Sequence, residues 1–557
     1  MRARVSNEGI TVNAIAGTHV VILGFDLDKA RRKECLGFAI QREDKTEDER
    51  YWLRGMKTFP STNPQLGPGG TASSRDHPFQ TFQWADYSAK PAHEYAFTVM
   101  PLYGEPANLR EGPRVTVEIG TEIEIGAPHS MFFNRGSVAT QEYARQFQNI
   151  PPDKLSGEDS AAAYRWLSRG LEEAMVAFIG RAADASWGIH GAIFELRWPS
   201  VIKALREANG RGAKVGVLYH GKNDTIGPPN ADAIAKGRIK GLCRARTEGY
   251  LMHNKFFVLT KDGKPVSVWT GSTNATVNGI FGHMNCGHIV EDPAVAGEFL
   301  DYWREMWDNE NHKAEQDWMG ERNPRPPAKA DEQKPLTTVF SPHADDAVLD
   351  WYRDISASAE DALMMSFAFG MDGRFKDVYR KDDEVLRYAL MDKAASGTGQ
   401  RLQEGKEEIE KIRRRPNVVV AIGNHIPVNA FDRWLKEQSR ITKAQVPWVH
   451  TKFMLVDPLG EDPTVVTGSA NWSDESTHKN AENMLVIHGD KRVADTYLGE
   501  FMRLHSHYAF REAVARALET GEKWEPQNLA EDSSWQKDYF DPHDERCRKR
   551  RYFAQSG

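Results

Sequence analysis

The chain has 557 residues and a formal net charge of −7. That length accommodates several domains with sizeable cores, and that charge balance excludes a globally basic nucleic-acid binder while leaving a local basic groove open. The four cysteines, Cys35, Cys243, Cys286 and Cys547, are scattered without a Cys-x-x-Cys pair, so neither a disulfide framework nor a zinc knuckle is indicated.

Residues 1–125 read as an all-β, sandwich-like accessory domain. Alternation is clear at Tyr95, Phe97 and Val99 and again at Val115, Val117 and Ile119, and a Pro/Gly/Ser-rich turn region covers 60–74. The run Tyr95–Pro101 with Gly104 resembles the late strands of a fibronectin type III module. The opening residues carry no apolar signal core, and no apolar run reaches membrane-span length. The expectation is a cytoplasmic protein, with leaderless secretion left open.

From 126 to about 160 the chain is polar and irregular. A helical stretch over 161–173 follows, then strands at 176–180 and 188–196, a helix over 201–208 and a strand over 212–219. An amphipathic, Trp-rich stretch covers 299–307, and Pro324, Pro326, Pro327 and Pro335 mark 321–337 as a linker. The cycle then repeats: a strand over 362–369, a charged helical segment near 383–412, a strand over 417–422 and a helix over 493–517. Such alternation predicts an α/β fold with helices covering a mixed or parallel sheet, in one lobe at 126–320 and another at 338–515. Residues 516–557 form a tail, whose basic run Arg546–Arg551 reads as a solvated charge cluster.

One constellation occurs twice. His253, Lys255, Gly271, Ser272 and Asn274 are matched by His450, Lys452, Gly468, Ser469 and Asn471, each pair 197 residues apart. A repeat of this size is an internal duplication. The apolar run after each histidine predicts a strand, on which His and Lys two positions apart share a face. Hairpins through 261–265 and 458–463 would return Asn274 and Asn471 to the histidines. Two imidazoles can serve as nucleophile and proton donor at a phosphodiester. Two ammoniums and two amides can hold its non-bridging oxygens. No metal-ligand spacing or cofactor motif is present, so no metal and no cofactor is expected.

The pattern resembles the phospholipase D superfamily, whose signature is His-x-Lys-x4-Asp followed by Gly-Ser-x-Asn. The second copy fits throughout, Asp457 included, whereas the first has Thr260 at the Asp position. The resemblance covers roughly 160–510 and implies two α-β-α lobes facing across a pseudo-two-fold axis around a phosphohistidine site. His253, Lys255, Asn274, His450, Lys452, Asn471 and Glu482 would be catalytic, with Asp457, Ser272 and Ser469 supporting. Glu482 lies where the family places a carboxylate that orients a histidine. The first copy has Asn285-Cys286-Gly287-His288 there, leaving Glu291 or Asp292 to substitute. One supported histidine is therefore expected, with His253 as nucleophile and His450 as acid. The implied substrate is a phospholipid head-group phosphodiester at a membrane surface. A nuclease is the alternative, because Gly-Ser-Ala-Asn-Trp-Ser and Asn-Ala-Glu-Asn look like that branch. A non-catalytic phosphate-ligand binding protein is the third reading. Trp269 and Trp472 could line a groove or pack. Cys286 reads as a buried thiol, and His190, His220, His283, His288, His425 and His478 are given no catalytic role.

Overall fold

The computed structural model describes residues 1–62, 64–66, 70–136, 140–322, 334–423, 449–519 and 528–556. It is a mixed α/β protein with several sheets, and two seven-stranded sheets dominate it. In the first, the strand order is His129–Phe133, Cys286–Val290, Lys264–Gly271, Lys255–Lys261, Trp187–Ile193, Lys214–His220 and Cys243–Arg246. In the second it is Leu336–Ser341, Glu482–His488, Thr464–Gly468, Phe453–Val456, Ala362–Phe367, Leu386–Met391 and Val418–Ile422. The orders correspond strand for strand, and so do the pairings: four antiparallel, then two parallel.

Each sheet is apolar on both faces, as central α/β strands must be. One core joins the sheets: Phe256 and Phe453 pack with Phe299 and Tyr497 from the helices Pro293–Trp307 and Lys491–Glu519. Asp292 starts the first of these helices by accepting from the amides of Ala294 and Val295, with Pro293 in the first turn. Separate cores cover the outer faces. The helices Leu171–Gly180 and Pro199–Gly210 lie on the first sheet, and Ala347–Ala357, Gly373–Tyr379 and Gly399–Arg413 on the second.

Four segments depart from the expected pattern. Residues 176–180 are helical, as part of Leu171–Gly180. Leu171, Met175, Phe178 and Ile179 bury one face of that helix, and a five-residue apolar run cannot separate helix from strand. Arg169 and Gly170, both left-handed, break the expected helix over 161–173 in two. Within the charged stretch near 383–412, Leu386–Met391 is a wholly buried strand. Its charge, Arg387, is answered by Asp383, so a core strand passes for polar surface in the sequence. Inside 126–160, His129–Phe133 pairs antiparallel with Cys286–Val290. Pro324, Pro326, Pro327 and His425 lie outside the described residues.

Residues 2–120 form strands of two further principal sheets around one apolar core that includes Val12, Leu23, Phe38 and Phe97. The C-terminal segment corrects the expectation of a solvated tail. Trp535 stacks on Phe82 of these sheets and Phe540 meets the same ring edge-on, and Arg546–Arg551 falls within the helix Glu545–Ala554, which packs on Val21–Leu27. Gly24 permits that contact, since a Cβ there would meet the Phe553 carbonyl carbon at 2.2 Å. The cations are used in docking: Arg548 pairs with Glu384 and Arg550 with Asp26.

Candidate active site

His253 and His450 stand just ahead of the strands Lys255–Lys261 and Phe453–Val456 rather than within them. Each segment is bridged to the opposite repeat, Met252 to Ala481 and Val449 to Met284. The offset of 197 converts one bridge into the other. These contacts bring the imidazoles face to edge, with ring centroids 6.4 Å apart. Lys255 Nζ donates to the His253 carbonyl and Lys452 Nζ to the His450 carbonyl, so both ammoniums fold back beside their own histidine. The motif glycines allow the tight packing behind them. A Cβ on Gly271 would lie 2.3 Å from the Cys286 oxygen, and one on Gly468 2.3 Å from the Asn483 oxygen. Ser272 donates to the Asn285 carboxamide oxygen and Ser469 to the Asn483 carbonyl, tying the same strands.

Each ring is oriented by the opposite repeat, and by different chemistry. Glu482 accepts from His253 Nδ1 at 2.8 Å. A carboxylate only accepts, so Nδ1 carries the proton and the Nε2 lone pair is free. His450 Nδ1 faces Asn285 Oδ1 at 2.7 Å. Asn285 Nδ2 donates to the Gly279 carbonyl, which fixes the amide and makes its oxygen the atom presented to His450. His450 therefore also carries its proton on Nδ1. Asn134 holds this loop by donating to the carbonyls of Ile280 and His283 and accepting from the Asn285 amide. The carboxylates expected to substitute in the first copy do not: Glu291 pairs with Arg181 and Asp292 caps a helix. Asn285 stands at the Glu482 position of the repeat, so the offset contained this signal.

Burial dominates the electrostatics. It pushes His253 down to about 4 against the pull of Glu482, and Lys255 and Lys452 down to about 7. His450 is driven well below the usual histidine range by burial, then by Lys452 and Lys255. His283 lies beside them, its ring centroid 6.0 Å from that of His450, and burial lowers it to about 3.

Asn274 and Asn471, the matched asparagines of the two copies, differ in their contacts. Asn274 Nδ2 donates to Glu195 Oε2 at 2.8 Å, whereas the Asn471 backbone amide donates to Ser476 Oγ. Glu195, buried at the end of Trp187–Ile193, was not singled out from the sequence: a lone Glu after an apolar run carries no pattern. Beside Asn471 a cavity of about 630 Å³ opens, lined by Phe369, Met371, Lys376, Arg401 and Trp472 among others.

Asp457 is remote from the chemistry. It accepts from the amides of Glu360, Asp361 and Ala362, starting the strand Ala362–Phe367. Thr260 instead meets His190 at a strand irregularity. Trp269 packs on Phe132, and Trp472 donates to the Ser366 carbonyl with part of its surface in the cavity. His220 pairs with Asp224, and His288 with His129 and Tyr497. Cys286 is a buried thiol whose ionisation is pushed up. Among the described residues, Asp346, Asp474 and His478 bring ligand atoms within 4.8 Å of one another, but Arg374 already bonds both carboxylates. No helix among the described residues is long and apolar enough to cross a membrane.

The family model described as "Cardiolipin synthase, PLD-like domain" matches residues 175–307 and 390–505. No characterised protein sequence matches the chain. Among solved structures, phosphatidylserine synthase from Haemophilus influenzae is similar over 64% of this chain and 92% of its own, at 11% identity and a TM-score of 0.42. The phospholipase D family member Nuc from Salmonella typhimurium is similar over 25% of this chain and 86% of its own, at 23% identity and a TM-score of 0.21. Polyphosphate kinase from Porphyromonas gingivalis is similar over 66% of this chain, at 12% identity and a TM-score of 0.37; the chain spans about half of that protein, 51%. With its doubled His-x-Lys and Gly-Ser-x-Asn elements, the chain belongs to the phospholipase D superfamily.

Proposed function

We propose that the protein is a metal-independent phosphodiesterase of phospholipase D type, working on a phospholipid head-group phosphodiester through a phosphohistidine. The supporting observation is the pair of imidazoles with centroids 6.4 Å apart, each tethered through Nδ1, which leaves both Nε2 atoms for a shared phosphate. The two lobes are then related by a pseudo-two-fold axis, and one phosphorus sits between the histidines.

His253 Nε2 attacks phosphorus as the bond to the leaving oxygen breaks, and a proton from His450 Nε2 passes to that oxygen. Water then attacks the phosphohistidine, His450 takes the water's proton, and the P–N bond breaks to restore neutral His253. The Glu482 carboxylate favours the positive charge that develops on His253 during attack. The charge of the bound phosphodiester offsets the cations that hold His450 down, so His450 gains its proton as substrate arrives. Lys255, Lys452, Asn274 and Asn471 hold the non-bridging oxygens.

The description of the matching family supports a lipid substrate, as does the acidic net charge. Purified protein with chelator is offered phosphatidylcholine or phosphatidylethanolamine vesicles plus a primary alcohol and, separately, single- and double-stranded DNA. Released head group or a phosphatidyl-alcohol is the expected result. Fragmented DNA would replace this reading with a nuclease, and tight binding without turnover would replace it with a phosphate-ligand binding protein.

A further inference from the structure

The two half-sites differ at a position outside the family motif. Strand register sets Gly191 opposite Phe257 and Met365 opposite Met454, so Glu195 and Phe369 are counterparts, each four residues further along. Phe369 is 45% exposed, whereas Glu195 is 5% exposed and fully engaged. One of its oxygens accepts from the Asn274 amide at 2.8 Å and the other from the Arg197 guanidinium. Buried, and with each oxygen already held by a neighbouring donor, it acts on the residues around it.

We propose that Glu195 is a positioning residue of the first half-site, holding the Asn274 amide and the positive charge of Lys255 ready for the substrate phosphate. The amide has one orientation because a carboxylate accepts only from its nitrogen, which leaves the second Nδ2 hydrogen for a phosphate oxygen. The ammonium is held by charge. Lys255 faces Glu482 and Glu195 as well as His253, His450 and Lys452, and both carboxylates favour its charged form against burial. Lys452 faces Lys255, Glu482 and the Cys286 thiol as well as His450, His283 and His253, without a carboxylate at the Phe369 position. The site therefore has one phosphate-binding lysine and amide buttressed by an extra acid, on the side of the proposed nucleophile.

This inference rests on the phosphodiesterase reading, so its test has an arm that needs no turnover. Glu195→Gln keeps the acceptor for Asn274 and removes the charge; Glu195→Ala removes both. In Glu195→Gln the alkaline limb of kcat/KM on a soluble aryl phosphodiester moves down by about one pH unit. The ¹⁵N-detected titration of the Lys255 amine moves with it. In Glu195→Ala, kcat falls a further roughly 10-fold to 100-fold, and a crystal structure shows the Asn274 amide turned. An unmoved Lys255 titration in Glu195→Gln, or an Asn274 amide keeping its direction in Glu195→Ala, overturns the proposal. Should Glu195→Ala not fold, the Lys255 titration in Glu195→Gln decides alone. Absence of turnover by the wild-type protein sinks the phosphodiesterase reading instead, and the titration still decides the role of Glu195.

Discussion

His253 and His450 occupy matching positions ahead of matching strands, and each has its lysine folded back onto its own carbonyl. Behind the rings the match ends. A carboxylate stands behind His253 and an amide behind His450; a buried acid stands beside Asn274 and an exposed phenyl ring at the corresponding place near Asn471. The duplicated backbone supplies position, and the unmatched supports supply chemical inequality. In the proposed mechanism one imidazole attacks while the other donates a proton, and such inequality favours one assignment of the two roles over its reverse.

The most severe way to break the comparison is to remove one ring. His253→Ala should lower kcat by about 10⁴-fold or more. His450→Ala, given a substrate with a good leaving group, should accumulate a phosphopeptide at His253. Mass spectrometry locating the phosphate on residue 450 in the converse experiment would exchange the assignments. Removing the supports sharpens the contrast. Glu482→Gln should cost about 100-fold in kcat and Asn285→Ala about 10-fold, because only the first removes a charge from a histidine partner. Equal losses would mean that the supports merely orient the rings.

The pH profile separates the groups by the sign of their requirement. His253 must be neutral to attack, so activity is lost as pH falls through about 4. Lys255 and Lys452 must be charged to hold phosphate, so activity is lost as pH rises through about 7. A kcat/KM profile flat from pH 5 to pH 9 would remove the lysines from the binding step. The smallest effect on chemistry belongs to Asp457. Asp457→Ala should destabilise the fold by about 1–3 kcal/mol through three orphaned amides, seen as a lower Tm, while kcat stays within about twofold. A large loss of kcat with an unchanged Tm would contradict that placement.

The histidines, lysines, asparagines and glycines were legible because duplication repeats them at one offset, and chance seldom does. Glu482 was legible as a carboxylate for a histidine, but sequence spacing does not say that the histidine belongs to the other repeat. Glu195 was not legible, since its meaning depends on Asn274 and Arg197 reaching it in space. Leu386–Met391 was hidden by Arg387, and the C-terminal helix by a basic run whose partners, Asp26 and Glu384, lie far away in sequence. Long-range pairing is what local periodicity omits.

The crossed supports bear on how this duplication could persist. Because Glu482 serves the ring of the first repeat and Asn285 the ring of the second, damage to either half disables a residue that the other half contributed. Neither copy can drift into silence while its sibling carries on alone. The ancestral doubling is thereby locked into mutual dependence, and selection sees the two halves as a single heritable unit.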